Sequence, residues 1–188
     1  MRRLAIALLI LSAMVVWRSE LFIVSRPGAK ALPLAILPAA SRTDVWIDMA
    51  LPQVPVGMRR LKSGSGVTLV HYWAPWERHG LSQAVLLDSL RRAPGMESVQ
   101  VVLVCFDPFP SVARFVARNG LRLSVLLDHR RSLAHLLPCP SVPYTYVLDR
   151  HGRIAVAQPG EVDWFAAQTR AALEAVVRDV PKSQAGAL

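Results

Sequence analysis

Residues able to do chemistry gather in two stretches of the chain. In the first, Trp73-Ala74-Pro75-Trp76 runs straight into Glu77-Arg78-His79-Gly80. A carboxylate and an imidazole two residues apart are the types that share acid–base work or ligate a metal. A metal would need a further ligand, with His71 and His135 as candidates. No second His or Cys sits at close ligand spacing, so no metal site is expected. In the second stretch, Leu137-Pro138-Cys139-Pro140 leads through Ser141 and Val142 to Pro143 and Tyr144. Cys139 and Cys105 are the chain's only cysteines. A cysteine acts as nucleophile or redox group through its thiolate. Two of them exclude a multi-disulfide scaffold and a four-cysteine zinc module.

The chain that must position these groups has 188 residues, 53% of them hydrophobic and 19% charged. That composition excludes a disordered protein. Lys+Arg 22 against Asp+Glu 13 gives 22 − 13 = +9. The charge is nearly all arginine, in scattered pairs such as Arg59-Arg60, Arg91-Arg92 and Arg130-Arg131. Without a block of like charge, a zinc-finger spacing or an RNA-binding aromatic signature, nucleic acid is not an expected partner. Acidic partners or an anionic membrane surface are the simpler reading of +9.

Met1-Arg2-Arg3 is followed by Leu4 to Trp17, an apolar run broken only by Ser12. A basic start and such a run make an export signal. No clear cleavage site follows, so residues 1–24 read as an uncleaved signal anchor, with a cleaved signal peptide as the alternative. The arginines stay in the cytoplasm, which puts the rest outside. The expected location is the inner membrane, single-pass, with the domain on the periplasmic or extracytoplasmic side. Residues 25–66 read as a tether and approach segment, in which Pro27, Pro33, Pro38, Pro52 and Pro55 prevent any long helix. Val45 to Leu51 is a candidate first strand, and residues 63–66 are a turn.

Residues 67–180 carry the domain pattern, and 181–188 read as a tail. Val67–Trp73 and Val99–Phe106 are nearly continuous apolar runs, as in strands buried on both faces. Between them, Leu81, Val85, Leu86 and Leu90 are spaced as the inner face of a helix over 81–92. Pro110 opens and Gly120 closes a second helix over 111–119. Val125–Leu127 and Ser132–Leu137 read as a short strand and a short helix. Tyr144–Leu148 and Ile154–Gln158 are joined by so short a link that they must form an antiparallel hairpin. Asp163 caps a last helix reaching Val177, with Ala166, Leu173, Val176 and Val177 inward. A parallel crossover, a hairpin and a closing helix make an α/β fold with a mixed central sheet flanked by helices.

Three segments carry a family likeness. Residues 71–76, His-Tyr-Trp-Ala-Pro-Trp, resemble the strand-end signature of TlpA/ResA-like thioredoxins. Residues 141–154, from Ser141-Val142-Pro143 to Gly152-Arg153-Ile154, are similar to that family's V-P-x-T-F-x-I-D-x-x-G-x-I. Gly160-Glu161-Val162-Asp163-Trp164 is similar to its closing G-x-x-D-W. The resemblance covers residues 67–178. It implies a thioredoxin-like fold, an envelope location and thiol-disulfide chemistry, and no cofactor.

The same resemblance breaks at the redox motif. Aligned on Trp73 and Trp76, the two cysteines of the family's Cys-x-x-Cys fall on Glu77 and Gly80. Thiol-disulfide exchange needs an attacking thiolate and a resolving thiol, which neither residue supplies. Glu77 keeps an anion where the family places its first cysteine, at a helix start. Pro143 matches the family's cis proline, whose loop pairs with an extended peptide. The resemblance therefore implies a degenerate site, Glu77-Arg78-His79-Gly80, beside a groove formed by Trp73, Trp76, Val142, Pro143 and Tyr144. Such a groove would bind an envelope protein or peptide. The alternative is an unusual oxidoreductase using Cys139, with or without Cys105. Cysteines placed at 77 and 80 would, on this reading, restore a dithiol.

Overall fold

The computed structural model describes residues 31–178; the expected anchor at 1–24 and the tail at 181–188 lie outside them. Its centre is β3 (Val67–Tyr72), a nearly continuous apolar run buried at every position, Thr68 and His71 included. β4 (Val99–Cys105) lies parallel to β3 on one side, and β6 (Tyr144–Leu148) lies antiparallel on the other. β5 (Val125–Leu127) continues the parallel set beside β4. β7 (Ile154–Pro159) closes the expected hairpin with β6. Two further strands, β1 (Asp48–Val54) and β2 (Met58–Lys62), complete a seven-stranded sheet of order β2-β1-β5-β4-β3-β6-β7.

Two hydrophobic clusters cover the two faces. On one face, α1 (Gly80–Leu90), α2 (Phe109–Asn119) and α4 (Ala167–Arg178) pack Leu87, Val112, Leu173 and Val176 against Leu69, Val101 and Trp164. On the other, α3 (Ser132–Leu136) and the β1–β2 ribbon place Leu133, Ile47, Leu51 and Leu61 over Val70, Val102 and Leu148. Helices therefore flank a mixed sheet on both faces, as the sequence pattern requires.

The helix over 80–90 is turned differently from its apolar spacing. Leu81 and Val85 are exposed, whereas Gln83 and Asp88 are buried. Gln83 is satisfied inside: its Oε1 accepts Trp164 Nε1–H at 2.7 Å, and its amide donates to Val162 O at 3.2 Å. Asp88 is held by Arg92 at 2.5 Å and Arg91 at 3.4 Å. A polar side chain with partners can occupy a core face, and here two do.

The segment read as tether and approach contributes to the fold from residue 32 onward. Leu32 forms a parallel bridge to Val162, and Leu34 is buried with its N–H on Thr169 Oγ1. The strand expected at 45–51 runs instead over 48–54, and β2 has no counterpart in the sequence reading. Asp149 fastens the far end of this segment. Its carboxylate takes Arg42 at 3.0 Å, Arg153 at 2.9 Å and the N–H groups of His151 and Arg153. Burial works against that charge, and these donors outweigh it, holding the carboxyl below its ordinary value.

Candidate functional site

The turn between β3 and α1 is built by its own backbone. Ala74 O accepts Glu77 N–H at 3.2 Å, and Glu77 O accepts Gly80 N–H at 3.1 Å. The Glu77 carboxylate folds back to accept His79 N–H at 2.9 Å. Partial burial raises its pKa despite that bond. His79 Nε2 lies 3.3 Å from Glu161 Oε1, tying the turn to the loop after β7. Arg78 is exposed. Among the described residues no group of three His, Cys, Asp or Glu could hold a metal ion.

Gly80, the first residue of α1, has no room for a side chain. A Cβ there would lie 2.5 Å from Ala74 O and 3.3 Å from Trp73 Cε3. The helix start is packed directly on the strand end.

A cleft of about 380 Å³ opens beside this turn, at the carboxyl ends of β3, β4 and β5. Trp76, 53% exposed, forms one wall and Val142 another. Phe106 and Asp107 come from the loop after β4, and His129 and Arg131 from the loop after β5. The Arg131 guanidinium sits 4.6 Å over the Phe106 ring, a cation–π arrangement. The cleft thus joins aromatic surface to one carboxylate and one guanidinium.

The expected groove residues divide. Trp76 and Val142 line the cleft. Trp73 reaches its floor but belongs to the core, at 1% exposed, with its ring 4.9 Å from Phe115. Pro143 and Tyr144 are next to the cleft without lining it. The Val142–Pro143 peptide is cis, and Pro143 O accepts Gly160 N–H at 2.9 Å. The Tyr144 ring lies 5.0 Å from that of Tyr146, tilted by 34°. The sequence reading missed Phe106, Asp107, His129 and Arg131. Their position just past the carboxyl ends of two parallel strands was the available signal.

The cysteines lie on opposite faces of the sheet. Cys105 is buried in the α1–α2–α4 face, and Cys139 is half-buried against the other. Both are free thiols. Cys105 S–H donates to Asp107 Oδ2 at 3.3 Å, and Cys139 S–H to Ser141 O at 3.1 Å. Burial pushes the Cys105 thiol well up, and the Cys139 thiol to about 12. Near neutral pH neither offers a thiolate for nucleophilic attack.

His71, set aside as a metal candidate, is fully buried. Its Nδ1 lies 3.0 Å from Thr145 Oγ1, and its Nε2 has no hydrogen-bond partner among the described residues. Burial lowers its pKa to about 3, so it is neutral at physiological pH. His135 sits on α3, whose helix packs on the opposite sheet face from the helix-α1 cluster.

No protein-family model matches the chain, and no curated protein matches it significantly. Solved structures do. A putative thiol:disulfide interchange protein DsbE from Chlorobium tepidum superposes with a TM-score of 0.64 at 20% identity, covering 73% of this chain and 98% of that one. A secreted thiol-disulfide isomerase from Corynebacterium glutamicum gives 0.60 at 21% identity, with 83% and 95% covered. Peroxidoxin BcpB from Mycobacterium tuberculosis gives 0.58 at 18% identity, with 71% and 96% covered. These likenesses establish a thioredoxin-like fold. Because one fold hosts several chemistries, the site must decide the function.

Proposed function

We propose that this chain is a thioredoxin-fold protein of the cell envelope, related to the TlpA/ResA-like group, that binds a protein or peptide without dithiol exchange. One observation carries the reading. The strand-to-helix turn presents Glu77 and Gly80, and the chain's two cysteines lie on opposite sides of the sheet. The alternative oxidoreductase would need Cys139 as a thiolate, and its burial opposes that.

Recognition is assigned to the cleft between Trp76 and Val142. An exposed indole beside a second aromatic ring and a guanidinium is the composition of a binding hot spot. The export signal read in residues 1–24 supports a membrane-attached chain with its domain outside the cytoplasm. A panel of extended peptides, titrated against the full chain, tests the binding. Trp76→Ala should weaken the best binder about tenfold or more. Unchanged affinity in that variant would remove the cleft from the account.

A further inference from the structure

Three side chains stand out among the exposed large apolar residues: Val56 at 76%, Trp46 at 75% and Met58 at 61%. They are the most exposed of their kind among the described residues, and all three belong to the β1–β2 ribbon or its approach. Strand alternation puts Trp46 and Met58 on one side, and Val56 lies in the turn that joins the two arms. Ile47, Leu51 and Leu61 point into the core. The intervening positions therefore point out: Trp46, Ala50 and Pro52 on one arm, Met58, Arg60 and Lys62 on the other. In the ribbon's register Pro52 faces Met58, Ala50 faces Arg60 and Asp48 faces Lys62.

The outer face thus reads as apolar residues interleaved with cations. Arg130 adds another charge, lining with Ala50, Pro52 and Met58 a cleft of about 370 Å³ at the ribbon's flank. The opposing carboxylate on the face, Asp48, is taken by Arg60 at 2.5 and 2.8 Å. Lys62, opposite Asp48 in the register, also feels that carboxylate, which leaves the three cations Arg60, Lys62 and Arg130 against the one exposed carboxylate of the face.

We propose that this outer face docks on an anionic lipid bilayer. Trp, Met and Val beside Lys and Arg is the pairing that suits the boundary between acyl chains and phosphate headgroups. Trp, Met and Arg suit a protein interface as well, and it is Lys62, of a type depleted there, that favours the bilayer. Pairing with another strand is also disfavoured, since β2 is the sheet's edge strand and carries Arg59, Arg60 and Lys62. The excess positive charge of the chain, +9, adds attraction to the same surface.

The test uses the full chain reconstituted in vesicles containing brominated lipid, either phosphatidylglycerol with phosphatidylcholine or phosphatidylcholine alone. Subtracting the emission of Trp46→Phe isolates Trp46 from the other tryptophans. Trp46 emission should be quenched in the phosphatidylglycerol vesicles, and much less in phosphatidylcholine or at high salt. Lys62→Gln should weaken docking about fivefold, with unchanged circular dichroism. Absent quenching, equal quenching in both lipids, or an indifferent Lys62→Gln would each overturn the proposal. So would a Trp46 shielded in native membranes and unquenched in vesicles, which would assign the face to a protein.

Discussion

Replacing Gly80 by alanine should destabilise the protein by about 1–3 kcal/mol, the range for forcing atoms into a filled site. An added Cβ would meet Ala74 O at 2.5 Å, inside the 3.0 Å that real Cβ contacts respect. The obstacle is a backbone carbonyl that already accepts Glu77 N–H, so it cannot swing aside without opening the turn. Alanine's better helix propensity returns at most about 0.5–1 kcal/mol. For a domain of this size the melting temperature should fall by about 2–10 °C. Thermal unfolding followed by circular dichroism reads the shift. A Gly80→Ala chain as stable as wild type would refute the close-packing argument. The same geometry revises an expectation drawn from the sequence. Glu77→Cys with Gly80→Cys should not simply restore a dithiol, because the second cysteine meets the same carbonyl.

Acid should weaken the fold through His71. Its pKa is about 3 when folded against 6.5 unfolded. The unfolded chain therefore binds the extra proton between these values. This stability is complete above pH 6.5 and is lost as pH falls toward 3. At pH 4.5 the loss from His71 should be about 2–3 kcal/mol, and urea unfolding of His71→Leu should lack that component. Asp149→Ala should cost about 3–5 kcal/mol by leaving the buried Arg42 without this carboxylate, read by the same unfolding curves. Both thiols should react slowly with iodoacetamide at pH 7.5 in the native protein and fast in denaturant; fast native alkylation of Cys139 would contradict its raised pKa.

The parts of the fold legible in the sequence are those with local signatures. The apolar runs of β3 and β4, the β6–β7 hairpin and the Pro110 and Gly120 punctuation of α2 lie where the pattern puts them. The rest depends on distant partners. Gln83 and Asp88 face inward because Trp164, Val162 and Arg92 satisfy them, and no helical periodicity encodes those contacts. The pairing of Leu32 with Val162 and the covering ribbon of β1 and β2 join segments far apart in sequence. At the site, the turn of Glu77 to Gly80 was readable, as were Trp76 and Val142. The cleft's other wall was not, since Phe106, Asp107 and Arg131 become neighbours of Trp76 only when the parallel strands align.

The recognition proposed at the Trp76 cleft needs no thiol chemistry. A photo-crosslinking amino acid placed at position 129, on the exposed rim of the cleft with Trp76 kept, in a chain carrying Cys105→Ser and Cys139→Ser, tests it in the native membrane. The same adduct is expected as with both cysteines present, resistant to reductant, and none from the exposed control position Arg118 on α2. An adduct that vanishes with the cysteines, or that reductant releases, would contradict it.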